Sequence, residues 1–295
     1  MNMMMNLTHR RAVALMVLCA LLWSTAGLVT RHLESARSFE VTFWRSFFTV
    51  LSLLVILPLF QGRAVFSRIR HGGQSLWLSG GCWCVMFTAF MVALTLTTVA
   101  NVLVTMALGP LLTALAARVF IGHRIHARTW LAITLAGVGI VWMYGGQANL
   151  SAQLTGTVVA LLVPMAAACN WTLVQHSQAL GQKIDLIPAV LLGAVMSSLV
   201  TLPLAWPLAA TPHDISLLGF LGLTQLAIPC ALSVWCASVL KAPEMSLLAL
   251  LEIVFGILLA WAGAGEAPGS SVLYGGAVVI AALVVNELMV WNEKI

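Results

Sequence analysis

Long apolar runs limit the fold of this sequence more than any other feature. Two examples are "TVLSLLVILPLF" at 49–60 and "GGAVVIAALVV" at 275–285. Strands of a membrane barrel alternate apolar and polar residues, whereas these runs stay apolar over helix lengths. Hydrocarbon offers the backbone no hydrogen bonds, so a spanning segment must satisfy its own peptide groups, as a helix does. The runs therefore predict an all-α membrane protein.

The charge content supports the bilayer, rather than water, as the surrounding solvent. Only 8% of the residues are charged, whereas 61% are hydrophobic. A soluble domain carries roughly 25% charged residues, so this chain could not cover a water-facing surface. The net charge of +5 comes from basic residues that stand singly between apolar runs. This distribution argues against a nucleic-acid partner and makes the lipid bilayer the expected one.

Breaks at charged or turn-forming residues divide the chain into ten segments of spanning length. A spanning helix needs about 20 mostly apolar residues. The predicted helices cover 12–31, 39–60, 75–96, 99–121, 128–145, 154–177, 186–206, 215–240, 243–263 and 272–291. The division near 97–99 has little punctuation, so nine spans is the alternative count.

The distribution of Lys and Arg predicts the orientation. These residues accumulate in cytoplasmic loops. With the N-terminus inside and ten spans, all of them except Arg31, Arg37 and Arg45 fall on the cytoplasmic side or its interface. The bias predicts a multi-pass protein of the inner (plasma) membrane with both termini cytoplasmic. It also favours ten spans over nine.

The two halves of the chain show a weak internal similarity. A shift of 143 residues lays "GPLLTALAARVFIGHR" at 109–124 over "EIVFGILLAWAGAGEA" at 252–267, with Ile253 opposite Pro110. Five spans in each half make the halves cross the membrane in opposite directions, as in many carriers. We therefore expect two inverted five-helix repeats, at 1–148 and 149–295, with a substrate site between them near the midplane.

Five segments carry a resemblance to a known family. They are "ALLWSTAGLVTR" (20–31), "FWRSFF" (43–48), "ALTLTTVANVLVTMALGPLLTALAARVFIGHR" (93–124), "LAGVGIVWM" (135–143) and "LALLEIVFGILLAWAGAGE" (248–266). In this order and spacing they resemble the EamA-domain branch of the drug/metabolite transporter superfamily. The resemblance implies ten helices and, in many members, export of amino acids or related compounds. Two positions depart from the family pattern: His123 replaces a frequent Glu, and Ile253 replaces a frequent Pro.

Charged residues inside spans are candidate functional residues, because a buried charge is costly in hydrocarbon. Glu252 is the foremost candidate: it would bind a substrate ammonium or carry a proton, or else only hold neighbouring helices together. Arg45 is predicted to gate or brace the bundle. Its alternatives are substrate carboxylate binding, pairing with Glu252, or an extended position at the outer interface. Glu244 lies at the start of the ninth span, in a cytoplasmic turn or an inner gate.

Indole and amide side chains within the spans complete the predicted site. The candidate substrate-binding or pathway residues besides Glu252 are Trp23, Asn101, Asn170, Trp171 and Trp235. Such groups suit a small amphipathic metabolite, although each Trp taken alone is also a common packing residue. The prolines Pro110 and Pro229 are predicted to bend the fourth and eighth spans, either as packing kinks or as hinges.

Taken together, these patterns predict a secondary transporter that exports a small organic metabolite by alternating access, with protons as the candidate coupling ion. The chain has no Walker loop, G-x-G-x-x-G or H-E-x-x-H motif, and its six cysteines lack metal-site spacing. We therefore expect no cofactor, no metal and no enzymatic activity. An intramembrane enzyme and a non-transporting scaffold or sensor remain the alternative functions.

Overall fold

The computed structural model describes residues 7–62, 64–70, 72–121, 127–145, 150–179, 186–236, 239–240 and 248–292. Throughout these ranges the regular structure is helical. The helices are α1 (His9–Thr30), α2 (Ser38–Gln61), α3 (Ala64–Arg70), α4 (Gln74–Leu96), α5 (Val99–Met106), α6 (Gly109–Ile121), α7 (Ala127–Gly145), α8 (Leu150–Ala179), α9 (Leu186–Ala205), α10 (Pro212–Leu221), α11 (Ile228–Cys236), α12 (Leu251–Ala264) and α13 (Ser270–Asn292). A π-helical turn, Gly222–Ala227, joins α10 to α11.

Six described segments are long and apolar enough to cross a membrane. They are His9–Thr30, Ser38–Leu59, Gln74–Leu96, Val99–Ala116, Pro188–Ala205 and Pro212–Ser233. Four shorter apolar helices, Trp130–Gly139, Leu154–Asn170, Leu251–Ala264 and Ser270–Val285, overlap the other predicted spans. The prediction of an all-α, multi-pass membrane protein is confirmed. Within the described ranges, six segments, rather than the predicted ten, are both long enough and apolar enough to count as spans.

The exposed surface fits a hydrocarbon surrounding. Leu59, Val141 and Trp206 are 77%, 72% and 73% exposed. Large apolar side chains in water carry a hydration penalty, which is absent when they contact lipid tails. The bundle interior, by contrast, contains buried Ser, Thr, Asn and Arg side chains that hydrogen-bond between helices. The helices therefore turn their apolar faces outward and collect polar groups within.

The helix predicted over 99–121 is divided in two. α5 ends at Met106, Ala107 and Leu108 form a turn, and α6 begins at Gly109 with Pro110 as its second residue. A proline fits the first turn of a helix because the amide hydrogen that it lacks has no helical partner there. The bend predicted at Pro110 is therefore a helix start.

The chain is interrupted again just before Glu252. Leu248 and Ala249 are helical, Leu250 forms a turn, and α12 begins at Leu251. Glu252 therefore lies in the first turn of α12, not about ten residues inside a continuous helix as the predicted range 243–263 implied. Glu244 lies outside the described residues.

The span predicted over 215–240 contains a π-helical turn. Pro229 is the second residue of α11 and follows the turn directly. Proline cannot donate to the carbonyl four residues earlier, which belongs to Gln225. π-helical turns are rare and occur often at functional sites. The irregularity therefore begins before Pro229, at Gly222, rather than at the proline itself.

Helix packing places α4 at the centre of the described bundle. α4 packs against α8 and α9, and α9 also packs against α2. α1 packs against α11 and α12, α8 packs against α5 and α6, and α7 pairs with α13. The two halves of the chain are therefore interleaved, because each of these contacts joins helices from before and after residue 148.

The α4–α9 contact depends on glycine. A Cβ at Gly193 of α9 would lie 3.0 Å from the carbonyl oxygen of Gly80 and 3.1 Å from the amide nitrogen of Cys84. Both are backbone atoms, which cannot turn aside as a side chain can. Small residues of this kind let membrane helices approach closely.

We expect Gly193→Ala to destabilise the protein by about 1–3 kcal/mol, because the added methyl overpacks a backbone contact. The measurement is the apparent melting temperature in detergent. Gly81→Ala is the matched control, since a Cβ at Gly81 would meet nothing within 4 Å. Equal melting temperatures for the two variants would contradict the close contact.

Candidate functional site

The guanidinium of Arg45 joins three elements inside the bundle. Only 1% of the residue is exposed. Its Nη1 donates to Oε1 of Gln225 at 2.8 Å, and its Nη2 donates to the carbonyl oxygen of Phe87 at 3.0 Å. The rings of Phe87 and Phe90 lie 5.6 Å and 5.8 Å from Cζ. Arg45 thereby connects α2, α4 and the π-helical turn by hydrogen bonds and cation–π contacts.

The position of Arg45 bears on the alternatives that its sequence context raised. The side chain is buried within the bundle rather than extended into its surroundings. No ion pair joins it to Glu252 in the described part of the chain, and its Nε has no hydrogen-bond partner there. A role in bracing or gating remains a prediction that this geometry suits.

A row of hydroxyls lies next to Arg45. Ser46 donates to Oγ of Ser197 at 3.0 Å, and Thr88 lies 3.0 Å from the same oxygen. Ser46 is on α2, Thr88 on α4 and Ser197 on α9. Sequence reasoning missed this network. Its only signal was the presence of single hydroxyl residues within apolar runs.

Glu252 is half-buried on α12, at a junction where α11 and α12 both pack against α1. Cys230 of α11 lies within electrostatic range of both Glu252 and Arg45. The Sγ of Cys19 in α1 lies 3.6 Å from the carbonyl oxygen of Pro229, which links α1 to α11. No hydrogen bond to the Glu252 carboxylate occurs within the described ranges.

The predicted indoles are distributed around this junction. Trp23 packs beside a buried cluster that contains Cys19 and Cys236, on the α1–α11 side. Trp235 is half-buried on α11. The structure thus places Trp23 on α1, and Trp235 and Glu252 on two helices, α11 and α12, that each pack against α1. The side chain of Trp171 lies outside what the structure describes.

The two predicted amides are far apart. Asn170 accepts a hydrogen bond from Oγ of Ser79 at 2.6 Å, and its Nδ2 has no partner among the described residues. Asn101 lies in the first turn of α5, where its Nδ2 donates to Oγ1 of Thr97 at 3.1 Å. Ser79 and Thr97 are separated by most of α4, a helix of 23 residues or roughly 35 Å. The structure does not bring these amides together.

An ion pair that the sequence reasoning missed joins the ends of α1 and α12. Arg31 Nε lies 2.5 Å from Glu266 Oε2, and its Nη1 and Nη2 donate to the carbonyl oxygens of Leu94 and Thr97 at 2.8 Å and 2.7 Å. Glu266 Oε1 accepts from the amide of Val99 at 2.7 Å. We call these five residues the Arg31 clasp, and the bundle end that holds them the Arg31 face.

Two carboxylates bind loop backbones on the same face. Asp214 is fully buried and accepts from the three amides of 34–36 at 2.8 Å, 3.0 Å and 3.0 Å. Glu40 accepts from the amides of Ala209 and Ala210 at 2.9 Å and 2.7 Å. Hydrogen bonds to a carboxylate are among the stronger ones in proteins. They tie the α1–α2 loop to the α9–α10 loop.

One group of side chains has the ligand atoms of a metal site. Single atoms of Glu34, His213 and Asp214 lie within 4.8 Å of one another. The Asp214 oxygens already accept backbone hydrogen bonds, and the side chains of Glu34 and His213 are 60% and 53% exposed. This arrangement of side chains fits a contact between two loops better than a metal-binding site.

An apolar groove of about 300 Å³ lies between α7 and α13. Its lining residues are Leu131, Ala132, Leu135, Val278, Ala281, Ala282, Val285 and Met289. A site for a metabolite combines apolar surface with a few polar groups that orient the ligand. This groove has no such polar group, and it lies apart from Glu252 and Arg45.

Known proteins show likenesses to both the sequence and the fold. Residues 10–145 match the model of the EamA-like transporter family. A solved structure described as "Crystal structure of protein" aligns with 98% of this chain and 100% of its own, with a TM-score of 0.66 and 18% identity. At that identity the likeness concerns the fold alone. No curated protein matches the sequence.

We expect Gln225→Met to destabilise the protein by about 2 kcal/mol, because a buried guanidinium loses a hydrogen-bond acceptor. The apparent melting temperature in detergent measures the effect. Thr224→Val is the control, since the Thr224 hydroxyl bonds only to the Phe220 carbonyl within its own helical segment. Additive effects of Gln225→Met and Arg45→Met in a double-mutant cycle would contradict the contact.

Proposed function

We propose that this chain, whose residues 10–145 match the EamA-like transporter family, is a carrier of the drug/metabolite transporter superfamily that exports a small organic metabolite by alternating access. The observation that carries the proposal is the placement of Glu252. This acid has no described hydrogen-bond partner and starts a helix at an interruption within the bundle. Carriers of this type bind substrate near interrupted helices, and an ionisable residue in a span marks a transport path.

The matching interruptions support two inverted halves, 1–148 and 149–295. Under the shift of 143 residues, the turn at Leu250 corresponds to the turn at Ala107. Both interruptions follow helical residues and precede a helix, α12 or α6. Only the first has a nearby proline, so the shared position does not follow from shared local sequence.

The helix contacts support the same arrangement. We pair α1 with α8, α2 with α9, α4 with the segment α10–α11, α5–α6 with α12, and α7 with α13. If each element is replaced by its partner in the other half, the α1–α12 contact becomes the α8–α6 contact, which is also present. The α4–α9 contact becomes, in the same way, the contact of α2 with the π-helical turn, which is present as well. The α2–α9 and α7–α13 contacts map onto themselves. Such exchange is what a two-fold axis in the membrane plane would produce.

In the proposed cycle the two halves rock about the junction of α1, α11 and α12. Glu252 there binds the ammonium group of a substrate such as an amino acid, or exchanges a proton for it. Trp23, Trp171 and Trp235 provide apolar lining, and the unpartnered Nδ2 of Asn170 offers a donor to a polar substrate group. The bonds of Asn101 to its own turn favour a structural task for that residue.

We expect Glu252→Gln to lower the initial rate of substrate counterflow by about tenfold or more, because the amide neither carries a proton nor attracts an ammonium. The measurement uses purified protein in liposomes and a panel of labelled amino acids and small metabolites. Glu34→Gln, which neutralises an exposed acid on the Arg31 face, is the control and should transport normally.

Unchanged counterflow and pH dependence in Glu252→Gln would remove this residue from the path. No counterflow of any compound by correctly inserted protein would favour the scaffold or sensor alternative. An intramembrane enzyme would instead alter one of the added compounds chemically, which chromatography of the recovered panel detects.

We also propose that the protein lies in the inner (plasma) membrane with both termini cytoplasmic, as the Lys and Arg distribution predicts. Fluorescent-protein fusions at either terminus should fluoresce, because the reporter folds in the cytoplasm. Alkaline phosphatase inserted after Ala267, in the α12–α13 loop, should be active on the opposite side. Phosphatase activity from a fusion at the C-terminus would contradict this topology.

A further inference from the structure

We propose that the Arg31 clasp is a gate of the transport path and that this structure is the state closed at the Arg31 face. The inference rests on the proposed carrier function. Arg31, Leu94, Thr97 and Val99 belong to the first half of the chain, whereas Glu266 belongs to the second. Rocking of the halves would separate these groups, so the clasp lies where an alternating-access cycle must open.

The exposure of the pair suits a contact that forms and breaks. The side chains of Arg31 and Glu266 are 27% and 19% exposed. Partly exposed ion pairs add little static stability, because water solvates the separated charges nearly as well. A permanent brace would gain more from burial, as at Asp214, which is fully buried on the same face.

Close contacts of three glycines, which we call the glycine seal, lie between the clasp and Glu252. A Cβ at Gly27 of α1 would lie 2.5 Å from Val99 Cγ1, and a Cβ at Gly263 of α12 would lie 2.5 Å from Leu28 Cδ1. Gly256 of α12 is packed in the same way against Leu103. Along α12, Gly263 and Gly256 stand between Glu266 and Glu252.

The seal explains how the clasp closes the path. Where α1, α5 and α12 pack together, a glycine on one helix faces an apolar side chain on another. Contacts of this kind in a membrane depend on close van der Waals packing and are lost once the backbones move apart. The clasp holds α5 and α12 in register above the seal, because Glu266 bonds to both Arg31 and the amide of Val99.

The test measures how fast a thiol reagent added at the Arg31 face reaches position 252. Glu252→Cys supplies the target in a chain whose six native cysteines are replaced by alanine. The probe is a membrane-impermeant methanethiosulfonate with a quaternary ammonium group, applied to sealed proteoliposomes. Ser270→Cys, exposed at the start of α13, identifies in a parallel sample which molecules present the Arg31 face outward.

Neutralising either partner should open the gate. We expect Arg31→Gln and Glu266→Gln to raise the modification rate by about tenfold or more, as the closed population falls. Arg31→Lys should give an intermediate rate, because it keeps the charge without the forked donors. Glu34→Gln, a matched neutralisation on the same face, should leave the rate unchanged.

Equal rates in all variants, or rapid modification with the clasp intact, would overturn the gate. A second experiment excludes misfolding as the cause of a changed rate. It uses the double variant Arg31→Cys with Glu266→Cys, in the cysteine-free chain that retains Glu252. A short bifunctional thiol cross-linker should arrest counterflow, and a reductant that cleaves it should restore counterflow. Counterflow that continues in the cross-linked protein would identify a static brace and overturn the gate.

The two readouts separate this inference from the proposed function. Faster modification in the clasp variants without counterflow of any compound would support the gate and count against the carrier. Counterflow with unchanged modification rates would support the carrier and overturn the gate. A target at position 252 that reacts from neither face in any variant would overturn both.

Discussion

The obligation to satisfy every backbone hydrogen bond within hydrocarbon governs this structure. It makes the described chain helical and leaves irregular backbone only where the bundle encloses it. The turns at Ala107 and Leu250 and the π-helical turn at Gly222–Ala227 are the interruptions that adjoin the candidate site. Glu252 begins the helix after one of them, and Gln225 within another supports Arg45. Departures from regular helix and the chemistry of the site therefore coincide.

The polar groups of the bundle divide into two kinds of support. Arg45, Ser46, Ser197 and Asp214 are buried and bonded between elements, so they hold helices and loops in place. Glu252 lacks a described hydrogen-bond partner and is half-buried. The proposed carrier would use both: a stiff framework that moves as a body and a polar group that receives a substrate. The separation of these tasks between different residues supports the proposed function over a purely structural role.

The helical, membrane-spanning character of the fold could be predicted from the sequence, because long apolar runs separated by charged or turn-forming residues mark spanning helices. The division between α4 and α5 near 97–99 was found in this way. The turn at Leu250 was missed because no Gly or Pro marks it. Arg31 was noted only as an exception to the charge bias, and Glu266 only within a family motif. Their contact joins positions far apart in the chain, which local patterns do not encode.

The turn at Leu250 has one further consequence. At the corresponding place in the first half, Pro110 has no amide hydrogen. A continuous pattern of helical hydrogen bonds therefore cannot form there. Ile253, opposite it, retains its amide and donates to the Leu250 carbonyl at 3.1 Å. The covalent chain therefore does not enforce the second interruption, whereas Pro110 enforces the first. The two interruptions thus differ in origin, and the one without a proline immediately precedes Glu252.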